Sequence, residues 1–198
     1  MTGQQITKLD AARRQLDTAI TLFFDNGDGI SVHTLAYASF KILFDVYPLH
    51  KSDDFGTKID EMIRAMGWQR FNKTANFLKH ADRDPAELLR YHDVDGTQAF
   101  IGLASLMYRR ITGEFTPLMR GFDCWTETLY PEALDIPPDP DPEREALEKK
   151  MREVIKAAPL SERLAMGKQL TGMLTELWER RHEPGHVAED RSIKLQTD

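Results

Sequence analysis

Apolar residues recur at intervals of three and four along most of this chain, which is the spacing of an amphipathic α-helix. Residues 9–24 show the pattern first, with Leu9, Leu16 and Ile20 on one side and charged residues on the other. The sequence "DNGDG" at residues 25–29 tolerates left-handed backbone angles and predicts the end of this helix.

The next run, residues 32–47, is apolar around most of the helix circumference. Its apolar members are Val32, Leu35, Ala36, Phe40, Leu43 and Phe44. A helix that is apolar on most sides is typically buried, so we expect this one to lie at the centre of the fold. We expect Ser31 to cap its start and Pro48 to end it.

The same spacing predicts five more helices before residue 131. They cover residues 59–66, residues 71–78, the short segment "PAELLRY" at 85–91, residues 95–112 and residues 117–129. In the fourth of these, the residues expected to face inward are Ala99, Phe100, Leu103, Ala104, Leu106 and Met107. No segment shows the alternation of a β-strand bounded by hairpin signals. The pattern therefore predicts an all-α protein whose first domain, residues 1–131, is a helical bundle.

Prolines mark a boundary after this bundle, because "PEALDIPPDPDPE" cannot continue a helix. We predict a Pro-rich spacer at residues 132–142, a C-terminal helical hairpin at residues 143–182 and a flexible tail at residues 183–198. The apolar stripe of the hairpin is too small to fold alone, so we expect the hairpin to dock on the first domain or on another subunit.

Composition narrows the function classes. A net charge of −6 argues against broad attraction to phosphate backbones, so a protein partner or a second copy is favoured over nucleic acid. Cys124 is the only cysteine, which excludes an internal disulfide and a cysteine-rich zinc site. The chain lacks the apolar stretches of a signal peptide or a membrane helix, so we expect no membrane association and a cytoplasmic location.

The segment "NFLKHADRDP" holds the candidate catalytic residues. His80 would act as general acid or base, with Asn76 one helical turn away on the same face and Lys79 as a polar neighbour. The competing interpretation is a helix end, where a cationic side chain interacts favourably with the helix dipole. The sequence favours this structural or partner-contact role over catalysis.

Metal and cofactor sites are not expected. An acidic and histidine-rich group occurs between residues 80 and 95, but its spacing matches no calcium loop or zinc motif. Its members are His80, Asp82, Asp84, His92, Asp93 and Asp95. The chain has no phosphate-binding glycine loop and no serine elbow, so no cofactor is expected.

Four other features have structural interpretations. Cys124 and His33 are expected in the core, the latter alternatively in an interface. One aromatic set is expected to pack in the interior before it would stack on bases, namely Phe23, Phe24, Phe40, Phe44, Trp68 and Phe71. Arg109, Arg110 and Arg120 would form a local anion-binding patch or, as we prefer, solvated helix ends.

The first two helices, with "HTLA" and the later "NFLKHADRDP", resemble an uncharacterised family of bacterial helical proteins over roughly residues 9–130. More distantly, the helix order and the late histidine are similar to the HEPN superfamily of defence and toxin systems. That resemblance implies a ribonuclease site formed across a dimer, with an arginine several residues before the histidine. Only His80 matches, since Thr74 and Ala75 occupy the expected arginine positions and Arg70 lies further upstream.

Two functions remain open. The first is a non-catalytic interaction or regulatory protein that acts as a homodimer or as a subunit of a bacterial complex, for example a defence or phage-related one. The second is a divergent, metal-independent ribonuclease in which His80, with Asn76 or Lys79, handles the proton of the 2′-hydroxyl. The sequence does not decide whether the chain is an enzyme.

Overall fold

The computed structural model describes residues 5–80, 82, 85–89, 94–131 and 140–182. Within these ranges the backbone is organised as helices and contains no strand, which confirms the predicted all-α class. The helices are α1 (Lys8–Phe24), α2 (Gly29–His50), α3 (Phe55–Met66), α4 (Trp68–Phe71), α5 (Lys73–Lys79), α6 (Val94–Thr112), α7 (Pro117–Leu129), α8 (Pro142–Ala157) and α9 (Leu160–His182).

Helix α2 is central, as expected, because it packs along α1 on one side and along α6 on another. The turn between α1 and α2 includes Asn26, whose φ of 52° is left-handed. Asp28, and not Ser31, is the N-cap of α2: its Oδ1 accepts a hydrogen bond from the Ser31 amide at 2.8 Å. The carboxylate is the stronger acceptor and lies three residues earlier, so the helix starts earlier than predicted.

Helix α2 does not end at Pro48 but continues to His50. The proline lacks the amide hydrogen that would bond to the carbonyl of Phe44, so one helical hydrogen bond is missing. The Lys51 amide still donates to the Tyr47 carbonyl at 2.9 Å, and the Tyr47 side chain is buried. Tertiary packing of Tyr47 holds the last turn in spite of the proline.

Two aromatic clusters hold the bundle together. The first joins α1 to α7 through Phe23, Phe24, Phe122 and Trp125, with ring centroids 5.3 to 6.0 Å apart. The second joins α2, α4 and α6 through Phe40, Phe44, Trp68, Phe71 and Phe100. These contacts confirm that the aromatic residues serve packing.

Helix α7 begins where the sequence predicts, at Pro117 after the N-cap Thr116. The Thr116 hydroxyl accepts a hydrogen bond from the Met119 amide at 3.2 Å and donates one to Asp17 Oδ1 at 2.7 Å. The cap of α7 is thereby tied to α1.

Three further predictions of local structure are wrong. The single helix predicted over residues 71–78 is two short helices, α4 and α5, on either side of Asn72. Residues 85–89 form a turn and no helix, and Leu88 is 87% exposed. Such a short helix needs a surface to pack on, and this leucine finds none. On α6, Ala99 is exposed and Ile101 is buried, so the inward face is rotated from the predicted one.

The C-terminal helices differ in how they dock. Helix α9 packs along α7 and against α1, and its Leu164 belongs to the same buried core as residues of α1 and α7. Helix α8 packs on α7 only through its last turns, where Ile155 is partly buried and Lys156 lies over the Tyr130 ring. It contacts α9 little, and none of its residues is buried.

Asp141 caps α8, with its Oδ1 accepting from the Glu143 amide at 3.0 Å. Of the predicted spacer, residues 132–139 lie outside the described ranges, and so does the predicted tail at residues 183–198. Among the described helices, none combines the length and apolar character needed to span a bilayer.

Candidate functional site

His80 and Asn76 lie together in an open groove of about 620 Å³ beside α4 and α5. The other lining residues are Gln69, Arg70, Lys73, Phe77 and Glu87. Spacings of three and four place these side chains, apart from Glu87, along one face of the α4–α5 segment. The structure therefore brings together two of the three predicted catalytic residues.

Lys79 does not line the groove. Its Nζ lies 5.2 Å from the centroid of the Tyr37 ring on α2, in a cation–π contact. The Tyr37 hydroxyl in turn donates to Asn72 Oδ1 at 2.8 Å, between α4 and α5. Lys79 thus fastens α5 to α2 and is not placed to assist His80.

Two cationic side chains that the sequence did not predict also line the groove. Arg70 and Lys73 are exposed in it, and neither forms an ion pair with a residue in the described ranges. Arg70 lies further upstream of His80 than the resemblance implies, but α4 and α5 follow each other so closely that both residues reach one groove. The spacing of residues 70, 73, 77 and 80 carries this signal. A groove with two free cationic side chains and an imidazole suits an anionic ligand.

His80 itself ends α5. Its backbone amide donates to the Asn76 carbonyl at 3.0 Å, and its φ of −121° departs from helical geometry. The position at a helix end is as predicted. It is compatible with a role in closing the helix and with a role in the groove.

The group weighed as a metal site is only partly described. Asp84, His92 and Asp93 lie outside the described ranges, as does the side chain of Asp95. Among the residues that the structure does describe, no three His, Cys, Asp or Glu side chains are arranged to hold a metal ion.

His33 is a core residue, as predicted. It is 4% exposed, and its Nδ1 lies 3.0 Å from the Thr97 hydroxyl on α6. Its ring meets the Phe100 ring edge to face at 5.3 Å. This contact joins α2 to α6 and leaves the imidazole inaccessible to a substrate.

The arginines considered as an anion patch do not form one. Arg109 stacks on Phe115 with its guanidinium carbon 4.9 Å from the ring centroid. Arg120 pairs with Asp123 at 2.5 Å. Each of these arginines already has an intramolecular partner.

Arg110 is the centre of a network at the end of α2. Its Nε donates to the Tyr47 hydroxyl at 2.9 Å, and that hydroxyl donates to Asp53 Oδ1 at 2.9 Å. Its guanidinium also lies 4.3 Å from the Phe55 ring centroid. Burial raises the pKa of Tyr47, and the hydrogen bond to Asp53 raises it further. Each of these side chains has its hydrogen-bond or cation–π partner within the chain. The network therefore holds α2, α3 and α6 together.

Cys124 is partly buried on α7 and lies outside the core cluster in which it was expected. Burial raises the pKa of its thiol above the ordinary value. A raised thiol pKa lowers the population of the nucleophilic thiolate, so this environment does not activate Cys124.

Several large apolar side chains of α8 and α9 are exposed to solvent. On α8, Leu147, Met151 and Val154 are 59%, 54% and 65% exposed. On α9, Met166, Met173 and Leu177 are 43%, 62% and 48% exposed. These six residues are called the C-terminal apolar face. A contiguous exposed apolar patch is typical of surfaces that bind another protein, so these residues are the candidate for such a surface.

No family model matches the chain, and neither the curated proteins nor the solved structures include a match to it. The resemblance to HEPN domains, the bacterial source and the cytoplasmic location therefore stay predictions from the sequence.

Proposed function

We propose that this protein acts without catalysis, by association with a protein chain through its C-terminal apolar face, either as a homo-oligomer or as a subunit of a bacterial complex. The observation that supports the proposal is the exposure of α8 to solvent. This helix has 16 residues, and none of them is buried within the chain. Most of the stability of a helix in a protein comes from packing an apolar face, so the face of α8 needs a partner.

The size of the face sets what the partner has to cover. Complete burial of a Leu, Met or Val side chain stabilises by about 1.5–3 kcal/mol, so six side chains that are each about half exposed contribute roughly 5–10 kcal/mol. Association costs about 4–15 kcal/mol in lost motion. Burial of the three exposed side chains of α8 alone would not offset the cost of association. A partner that binds stably therefore has to contact α9 as well.

The test compares two substitutions that add the same charge to α8. Met151→Glu places a carboxylate within the face, and Ala146→Glu places one on an exposed position away from it. We expect the wild-type chain and Ala146→Glu to assemble with similar dissociation constants, and Met151→Glu to weaken assembly about tenfold or more. Size-exclusion chromatography with light scattering, over a concentration series, measures this. A monomer at every concentration in all three proteins would contradict the proposal.

A second function, the HEPN-like ribonuclease, is supported by the groove that holds Arg70, Lys73, Asn76 and His80. The two cations would hold RNA phosphates, and the imidazole would accept the proton of a 2′-hydroxyl. In this hypothesis Arg70 and Lys73 take the place of Lys79 as cationic partners of His80, because they line the groove and Lys79 does not.

Incubation with single-stranded RNA in EDTA tests the ribonuclease hypothesis. We expect cleavage by the wild-type chain, loss of at least a hundredfold in His80→Ala, and wild-type cleavage by His50→Ala, which removes a histidine from the end of α2. Equal cleavage by wild type and His80→Ala would show a contaminating nuclease and end this candidate.

A further inference from the structure

Helices α7 and α9 run antiparallel, and their spacing changes along the pair. The Trp125 indole Nε1 donates to the Arg163 carbonyl at 3.3 Å. One turn back along α7, Gly121 lies so close to Thr171 that a Cβ atom on the glycine would meet the Thr171 Cα at 2.9 Å. Further on, the side chains are larger than glycine, and an open groove of about 310 Å³ lies between the start of α7 and the last turns of α9. This is called the α7–α9 groove.

The walls of the α7–α9 groove are mostly apolar. Phe115 and Pro117 line it around the start of α7, and Leu174, Leu177 and Trp178 line it from one face of α9. Sites for small molecules are concave, are lined mainly by apolar and aromatic side chains and have volumes of about 300–1,000 Å³. The groove has this lining and lies at the lower end of this size range, so it suits a small apolar body.

The titratable side chains at the α7–α9 groove are all basic. Arg120 lines it from α7, and Arg181 and His182 line it from the end of α9. No Asp or Glu within the described part of the chain lines it, although the whole chain has 32 Asp and Glu against 26 Lys and Arg. The groove thus has a charge opposite to that of the chain, which favours an anionic ligand.

Arg181 is the cation in the α7–α9 groove that is available to such a ligand. Its side chain is exposed, and it forms no ion pair with any residue that the structure describes. Arg120, in contrast, is paired with Asp123 at 2.5 Å. A guanidinium binds a carboxylate through two parallel hydrogen bonds, so Arg181 can hold one such group at the end of the groove.

The aromatic wall beside Arg181 is held in place within the chain. The His182 ring is stacked on the Trp178 ring with centroids 4.1 Å apart, and its Nδ1 donates to the Trp178 carbonyl at 2.8 Å. A wall that is already ordered reduces the entropy that a ligand loses on binding.

A neighbouring concavity has a different charge. It has a volume of about 420 Å³, also contacts Trp178, and is lined by Asp17, Glu114 and Glu179 beside Arg13. Three acids against one base disfavour an anion there. The preference for an anion therefore belongs to the α7–α9 groove and not to this neighbour.

We propose that the α7–α9 groove binds a small apolar carboxylate, with the apolar body between the walls and the carboxylate on Arg181. This site goes beyond association through the C-terminal apolar face. Of that face, Leu177 lines the groove, whereas no residue of α8 does.

Octanoate is the probe for this site, and n-octanol, which has the same apolar chain without the charge, is the matched ligand. Equilibrium dialysis of each labelled compound against the full chain measures the dissociation constants. We expect saturable binding of octanoate and binding of octanol that is at least tenfold weaker.

Two pairs of variants at exposed positions locate the site. Arg181→Gln is expected to weaken octanoate binding about tenfold and to leave octanol unchanged. Arg180→Gln, whose arginine is paired with Glu176 at 3.6 Å and does not line the groove, should change neither. Leu177→Ala should weaken both ligands several-fold, and Met173→Ala, which lies on α9 outside the groove, should weaken neither.

The remaining outcomes overturn the proposal. Equal weakening by Arg181→Gln and Arg180→Gln would show only a general attraction to the basic end of α9. Equal binding of octanoate and octanol would exclude recognition of the carboxylate, and no saturable binding by any of the proteins would exclude the site.

Met151→Glu separates this proposal from the proposed association. We expect this variant to bind octanoate as the wild-type chain does, because Met151 does not line the α7–α9 groove. Octanoate binding by Met151→Glu without binding by the wild type would show that a second copy occupies the groove instead of a small carboxylate.

Discussion

At the scale of single residues, the network around Arg110 shows how a polar cluster is satisfied inside the chain. Partial burial acts to raise the pKa of Asp53, but hydrogen bonds from Tyr47 and the Phe55 amide, with the charge of Arg110, outweigh it and hold the pKa below its ordinary value of 3.8. The charged form of Asp53 is therefore favoured by folding.

This lowered pKa predicts a pH dependence. A carboxylate with a folded-state pKa below the unfolded one contributes stability above the unfolded pKa and loses it as the pH falls through the folded pKa. We expect Asp53→Asn to have a lower free energy of unfolding than wild type at pH 7, and the difference to shrink below pH 3.8. Urea denaturation of both proteins from pH 7 to pH 3 measures it. A difference that is constant with pH would contradict the assignment.

The buried pair His33 and Thr97 gives a second prediction at this scale. Thr97→Val keeps the shape of the side chain but removes the hydroxyl that lies 3.0 Å from His33 Nδ1. We expect a loss of about 1–3 kcal/mol in the free energy of unfolding, because the imidazole stays buried. Thr34→Val, at an exposed position of α2, is the control and should change it by less than about 0.5 kcal/mol. Similar values for the two variants would contradict a structural role for this hydrogen bond.

At the scale of helices, the close approach of α7 and α9 depends on a glycine. A Cβ atom on Gly121 would lie 2.9 Å from the Cα of Thr171 and 2.6 Å from its hydroxyl oxygen. One of the clashing atoms is the Cα of Thr171, so rotating the Thr171 side chain does not relieve the clash. The two helices would have to separate.

Gly121→Ala is therefore expected to lower the free energy of unfolding by about 1–3 kcal/mol through overpacking. Gly172→Ala on α9 is the matched control, because its Cβ would have no atom within 4 Å. It should raise stability by about 0.5–1 kcal/mol, since alanine loses less backbone freedom than glycine. Thermal denaturation of both variants measures the contrast. Equal shifts would mean that α9 does not dock on α7 as described.

The helices themselves were largely predictable, because the long ones carry either an amphipathic pattern or, in α2, apolar residues on most sides. What the sequence did not predict depends on tertiary contacts. Tyr47 is buried and hydrogen-bonded to Arg110, and these contacts keep α2 helical past Pro48. Leu88 is exposed, so no packing stabilises a helix at residues 85–89. His80 and Asn76 were predicted on one face, but the place of Arg70 beside them depends on how α4 and α5 join.

At the scale of the whole molecule, α9 belongs to the same core as the bundle. Leu164 is 3% exposed within that core, whereas Leu160, one turn earlier, is 38% exposed. The sequence predicts a boundary near residue 132, and the packing shows that the segment after it contributes to the interior of the segment before it.

Leu164→Ala is expected to cost about 2–5 kcal/mol and to shift the unfolding of the entire chain as one transition. Leu160→Ala should cost much less, because more of its side chain is already in water. Circular dichroism and near-ultraviolet signals followed in urea would test this. Two separate transitions in Leu164→Ala, with the bundle unchanged, would contradict a shared core.

Trp178 is placed so that its intrinsic fluorescence would report on assembly. It is 45% exposed and neighbours Leu177 of the C-terminal apolar face, while Trp125 is only 5% exposed. Of the three tryptophans in the chain, Trp178 is the one next to the surface that assembly would cover. Intrinsic fluorescence should accordingly move to shorter wavelength as the concentration rises, so assembly can be followed without any attached dye.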